Sequence, residues 1–216
     1  MFAPSKNLTR ILKGKSWTIR RFATPASTTD GSPSKTDKPM FGTVPSHRSY
    51  IFLHATEPPT SFPARFSTPI QRALQLQVLK WGGGVNFAWF GHEHAPRNTG
   101  QSTSATAFSA LGGRLEFPEI TLDNVDEVAE TLKRHADGPI VSASEEIHLY
   151  VCTHGARDCR CGDMGGAVFK ALQDEVKRLV DVDPSGAASR VRLGEVAHVG
   201  GHQLSGQLSL ICTLHH

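Results

Sequence analysis

Three of the chain's four cysteines fall in one run, Cys152-Thr-His-Gly-Ala-Arg-Asp-Cys159-Arg-Cys161, directly behind the apolar segment 147–151. Downstream, His198-Val-Gly-Gly-His202 sets two imidazoles on a glycine-bearing turn. Thiolates and imidazoles suit zinc and iron, so two donors from each segment make a complete four-ligand centre. Cys152 and Cys161 have eight residues between them, enough for a loop that turns both sulfurs to one point. His198 and His202 stand at i and i+4, the spacing of one helix face. Gly200 and Gly201 oppose a helix there by about 1 kcal/mol each relative to alanine, so a tight loop is the better reading. Donor type leaves the metal open between a closed tetrahedral zinc site and a [2Fe–2S] cluster in which histidines replace two thiolates. The cysteine gap exceeds the roughly two to four residues of a zinc finger. A Rieske centre would mix Cys and His within each segment, whereas here the types are segregated.

Cys159 lies between the proposed ligands. Its one-residue spacing from Cys161 is too short for a Cys-x-x-Cys redox pair, so it reads as a bystander thiol. The competing reading makes the chain a thiol-disulfide oxidoreductase that uses Cys159 with Cys152 or Cys161. Cys212 reads as a buried apolar residue. Gly91-His92-Glu93-His94, between Phe90 and Pro96, reads as a solvated turn rather than as ligands.

The elements that must position these residues follow from pattern. Tyr50–His54 reads as a buried strand, Ile70 to Lys80 as a helix stopped by Gly82-Gly83-Gly84, and Val85–Phe90 as a second strand. The glycine triplet follows a helix and precedes a strand, the reverse of a phosphate-binding loop, and no Gly-Lys-Ser/Thr follows. Residues 97–106 read as polar loop. Leu115, Phe117 and Ile120 mark a short strand, and Asp123 caps a helix that ends at Gly138-Pro139, the expected lobe boundary. In the second half, Ile147–Val151 is a strand leading into Cys152. Val168, Leu172, Val176, Leu179 and Val180 recur at helical spacing, and Val191, Leu193 and Val196 alternate as in a half-buried strand that delivers His198. Alternating strands and helices predict an α/β fold of two small lobes, residues 48–139 and 140–216.

The chain has 216 residues, 38% hydrophobic content and a net charge of +3, which excludes fibrous and wholly disordered classes. No basic run interleaved with aromatics suggests nucleic acid, and no apolar run reaches the roughly 18 residues of a membrane span. Clustered cysteines, few in number, fit a reducing compartment. Residues 1–23 carry Lys6, Arg10, Lys13, Lys15, Arg20 and Arg21 with hydroxyl residues and no acid, which matches a mitochondrial transit peptide directed to the matrix. Residues 24–47, rich in Ser, Thr and Pro, read as a disordered linker.

The run Cys152 to Gly162, a helix, and then His198-Val-Gly-Gly-His202 resembles the sucrase/ferredoxin-like family of thioredoxin-like ferredoxins. Asn86-Phe87-Ala88-Trp89 strengthens the likeness to its fungal "altered inheritance of mitochondria" group. The resemblance covers roughly residues 48–206. It implies a [2Fe–2S] cluster held by Cys152, Cys161, His198 and His202, with zinc as the alternative, and a thioredoxin-like fold in the second lobe. It also implies electron transfer or redox quality control in mitochondria, with a redox partner protein of unknown identity. An electron carrier is expected rather than a catalyst with its own substrate. His154, Arg157 and Asp158 are expected around the ligands rather than on the metal, His154 through hydrogen bonding. After His202, Gln203-Leu204-Ser205-Gly206-Gln207 keeps only the glycine of the family's continuation, so a shortened C-terminal part is expected.

Overall fold

Apolar side chains alternate along the first strand, so that Ile51 and Leu53 point to one face and Phe52 to the other, and this alternation sets the layering of the whole sheet. A computed structural model of the chain describes residues 47–91, 101–138, 145–199 and 208–211. The expected transit peptide, all of the linker except His47, His92, Glu93, His94, Pro139, His202, Gly206 and Cys212 lie outside the described residues.

The described elements run β1 (Ser49–His54), α1 (Pro69–Val78), β2 (Gly83–Trp89), β3 (Ser102–Ser109), β4 (Gly113–Thr121) and α2 (Val125–Asp137), then β5 (Ile147–Cys152), α3 (Gly166–Val182), β6 (Val191–Val196) and β7 (Leu208–Ile211). The strands form a seven-stranded mixed sheet in the order β4-β3-β1-β2-β6-β5-β7, an α/β fold. Two parallel pairs, β1 with β2 and β5 with β6, each enclose a crossover helix. They meet antiparallel through Ala88 opposite Val196 and Trp89 opposite Glu195, so the two halves of the sequence share one sheet.

Helix α1 begins where Thr68 accepts a hydrogen bond from the Gln71 amide at 3.1 Å and Pro69 supplies a preset φ. It tightens into a 3-10 turn over Leu79–Trp81 and stops at Gly82, whose φ of 91° suits glycine alone. The strand that follows starts at Gly83, so only the first residue of the glycine triplet acts as the stop.

On one face of the sheet, Ile51, Leu53, Phe87, Ala105, Ala107 and Ile120 pack against Ile70, Leu74 and Val78 of α1 and Val125, Val128 and Leu132 of α2. On the other face Phe52, Ala88, Phe108, Tyr150, Cys152, Cys161 and Val196 cluster, with the Phe52 and Tyr150 rings stacked at 4.4 Å.

Two local expectations fail. Half of the stretch read as polar loop, residues 102–106, joins β3, where Ala105 and Ala107 are fully buried and small side chains lie between the sheet and α2. The residue capping α2 is Asn124, not Asp123, and the Asn124 side chain accepts from the Thr121 amide at 2.8 Å rather than from the helix. The edge strand β7 had no clear periodicity to announce it.

Candidate metal centre

Strand β5 ends in Cys152, whose register partner on β6 is Val196. Beyond this pair the two strands stay joined, with the Thr153 amide donating to the Val196 carbonyl at 3.3 Å. The Cys152 loop and the residues after β6 therefore leave the sheet side by side. The His154 carbonyl accepts from the Arg157 and Asp158 amides at 3.2 Å, which turns the loop back. Asp158 then starts a helical turn. Its carboxylate accepts from the Arg160 amide at 3.0 Å and grips the Arg160 guanidinium at 3.0 and 2.7 Å. Residues Cys161–Gly165 form a π-helical turn that leads into α3. Such turns carry an extra residue per turn and often mark functional sites.

Three glycines let this loop close. A Cβ on Gly162 would stand 2.8 Å from the Gly155 Cα, so the two backbones touch face to face. A Cβ on Gly165 would stand 2.0 Å from the Cys152 carbonyl oxygen. The π-helical turn thus lies directly on the end of β5, and the sulfurs on either side of that contact meet.

Cys152 Sγ, Cys161 Sγ and a ring nitrogen of His198 all lie within 4.8 Å of one another. Cys161 Sγ is 3.7 Å from His198 Nδ1. Two ligands of one tetrahedral ion with ordinary zinc–sulfur and zinc–nitrogen bonds stand about 3.5 Å apart, so this pair has the separation of neighbours on one metal. Both cysteines are buried and His198 is half-buried, whereas Cys159 is exposed. Burial, with the adjoining Cys152 thiol, pushes the Cys161 thiol up to about 12. The Cys161 thiol, crowded in this buried site, resists ionising without a cation beside it, and a bound metal removes that obstacle. The donor set and its electrostatics fit a thiolate–imidazole metal or cluster.

His198 is held from two sides. Its backbone amide donates to His154 Nδ1 at 3.4 Å, while His154 Nε2 lies 3.0 Å from the Pro63 carbonyl. The carbonyl can only accept, so Nε2 carries the proton and Nδ1 is the acceptor. The preceding residue is fixed by Asn86, whose amide donates to the Ala197 carbonyl at 2.9 Å, and by the Ala197 amide, which donates to the Phe87 carbonyl at 3.1 Å. Asn86 and Pro63 are contacts that spacing does not reveal. Arg157 is exposed and lines an adjoining cleft, and the Asp158 carboxylate pairs with Arg160. His202 lies outside the described residues.

The pattern of the sucrase/ferredoxin-like family matches residues 40–213. The chain belongs to the sucrase/ferredoxin-like family. Among curated relatives, a protein of Meyerozyma guilliermondii named "Altered inheritance of mitochondria protein 32" is 38% identical over 96 residues, covering 43% of this chain and 32% of that protein. The protein of the same name from Saccharomyces kudriavzevii is 41% identical over 99 residues, covering 44% of this chain and 28% of its own length. The chain thus aligns with about a third or less of the curated relatives it matches. No solved structure matches it. Among the described residues no helix is long and apolar enough to cross a membrane.

Proposed function

We propose that the chain is a [2Fe–2S] protein that transfers electrons or serves redox quality control in mitochondria, with Cys152, Cys161, His198 and His202 as ligands. The observation that carries the reading is the convergence of Cys152, Cys161 and His198 within 4.8 Å at the end of β5. When bound, the cluster supplies reversible one-electron chemistry. The protein's part is to present two thiolates and the imidazole of His198 from one buried corner, to hold the His198 segment through His154, and to limit water at the sulfurs. The parallel β5–α3–β6 unit with antiparallel β7 supports a thioredoxin-like second half. The relatives' names support a mitochondrial setting, and the basic, acid-free N-terminal segment supports import to the matrix.

A second reading, a zinc-stabilised structural or binding module, is favoured by the 3.7 Å separation of Cys161 and His198, which suits a single ion. The two readings separate on visible absorption of anaerobically purified protein. The cluster reading predicts a red-brown protein whose colour is lost in Cys161→Ser and kept in Cys159→Ser. Colour that survives Cys161→Ser removes the ligand assignment, and a colourless wild-type protein carrying zinc favours the second reading.

A further inference from the structure

Beside the candidate centre a cleft of about 610 Å³ opens between α1, the start of β2 and the Cys152–Cys161 loop, and His198 forms part of its wall. Arg65 and Arg157 both line it, and among the described residues no aspartate or glutamate does. The ion pairs found among the described residues engage Arg48, Arg114, Arg160, Arg178, Arg190 and Arg192, and neither cleft arginine. Two arginines therefore border one concavity whose described lining carries no carboxylate. The polar lining also donates. Gln75 uses its carbonyl oxygen to accept from the Val85 amide at 2.9 Å, which leaves its NH2 as a donor, and the Gln71 amide lies alongside. Tyr50 and Phe66 give the cleft an aromatic surface.

The neighbouring cavity makes the contrast. It has about 730 Å³, shares Phe66 and Phe87 with the cleft, and carries the carboxylates Glu57 and Asp123. Charge therefore sorts anions to the cleft that touches His198. Guanidinium forks match planar carboxylates and phosphates, and an aromatic floor suits an apolar or planar body.

We propose that this cleft binds a small organic anion, a carboxylate or phosphate ester with an apolar or aromatic body, with its charged end on Arg65 and Arg157 and its body near His198. This deepens the redox reading, since it places a ligand against a proposed metal-holding imidazole. The binding itself does not depend on which metal is held.

Calorimetric titration of the full chain with benzoate, and with its neutral counterpart benzamide, tests the proposal. Metal content is measured on the same samples. Benzoate is expected to bind at least about tenfold more tightly than benzamide. That preference is expected to vanish in Arg65→Gln/Arg157→Gln and to return in Arg65→Lys/Arg157→Lys, which restores charge and controls for folding. Displacement of bound benzoate by inorganic phosphate extends the site to both oxyanions, and lack of displacement confines it to carboxylates; either supports an anion site. No benzoate binding, equal affinity for benzamide, or a preference unchanged in the glutamine variant overturns it. A benzoate preference in protein that holds no iron leaves this site standing while the cluster reading fails.

Discussion

Gly165→Ala tests whether the contact between the π-helical turn and the end of β5 builds the centre. A Cβ at this position would lie 2.0 Å from the Cys152 carbonyl oxygen, and an ordinary contact begins near 3.4 Å. The turn and the strand end must therefore part by about 1.4 Å, because the obstacle is backbone and cannot rotate away. Overpacking of this kind costs about 1–3 kcal/mol, which in a chain of this size lowers the melting temperature by roughly 2–12 °C. The same displacement carries Cys161 away from Cys152, so metal content should fall more steeply than stability. Gly166→Ala is the matched control. It changes the next residue, whose Cβ would meet nothing within 4 Å, and alanine favours a helix over glycine by up to about 1 kcal/mol. Thermal denaturation and metal analysis of both variants are the assay. Equal behaviour of the two variants, or a Gly165→Ala protein with wild-type stability and metal content, would refute the reasoning.

His148 is buried beneath Arg114 and beside Tyr150, and burial followed by the nearby Arg114 and Arg192 charges depresses its pKa from 6.5 to about 4. The unfolded chain binds the proton more readily, so stability is present above pH 6.5 and lost as pH falls toward about 4, by up to about 3 kcal/mol. Urea midpoints measured between these pH values should show that slope, and His148→Leu should flatten it; an unchanged slope would assign the effect to other groups. His154→Ala removes the donor to Pro63 and the acceptor for the His198 amide, at a cost of roughly 1–3 kcal/mol for two lost hydrogen bonds at an exposed and a half-buried residue. Its urea midpoint should fall together with metal content, and a normal midpoint with full metal would show that the bridge does not hold His198.

Much of the site was legible because metal chemistry needs donor types that are rare and clustered. Cys152 and Cys161 stood out by residue type, and the strand pattern of Ile147–Val151 placed Cys152 at a strand end. The closing contacts were not legible. Gly155 and Gly162 lie seven residues apart in sequence, and only the fold reveals that one backbone rests on the other. Asn86 binds the Ala197 carbonyl from a strand 111 residues away, a distance at which periodicity carries no information. Strand β3 is not legible in the sequence because Ser102–Ser109, apart from Phe108, is built of small and hydroxyl residues. Its burial comes from being sandwiched between β4 and β1 under α2, a tertiary effect that overrides local polarity. The helix start at Asn124 shifted by one residue because Asn124 satisfies the preceding turn instead of the helix.

The central claim is that Cys152, Cys161 and His198, brought together within 4.8 Å, would hold an iron–sulfur cluster, and iron and acid-labile sulfide analysis of the anaerobically purified full chain addresses it most directly. The account predicts iron and sulfide in equal amounts, about two of each per chain, with an electron paramagnetic resonance signal on reduction. Iron and sulfide should both be lost in the His198→Ala variant. A wild-type chain that holds zinc in place of iron, or no metal at all, would contradict it.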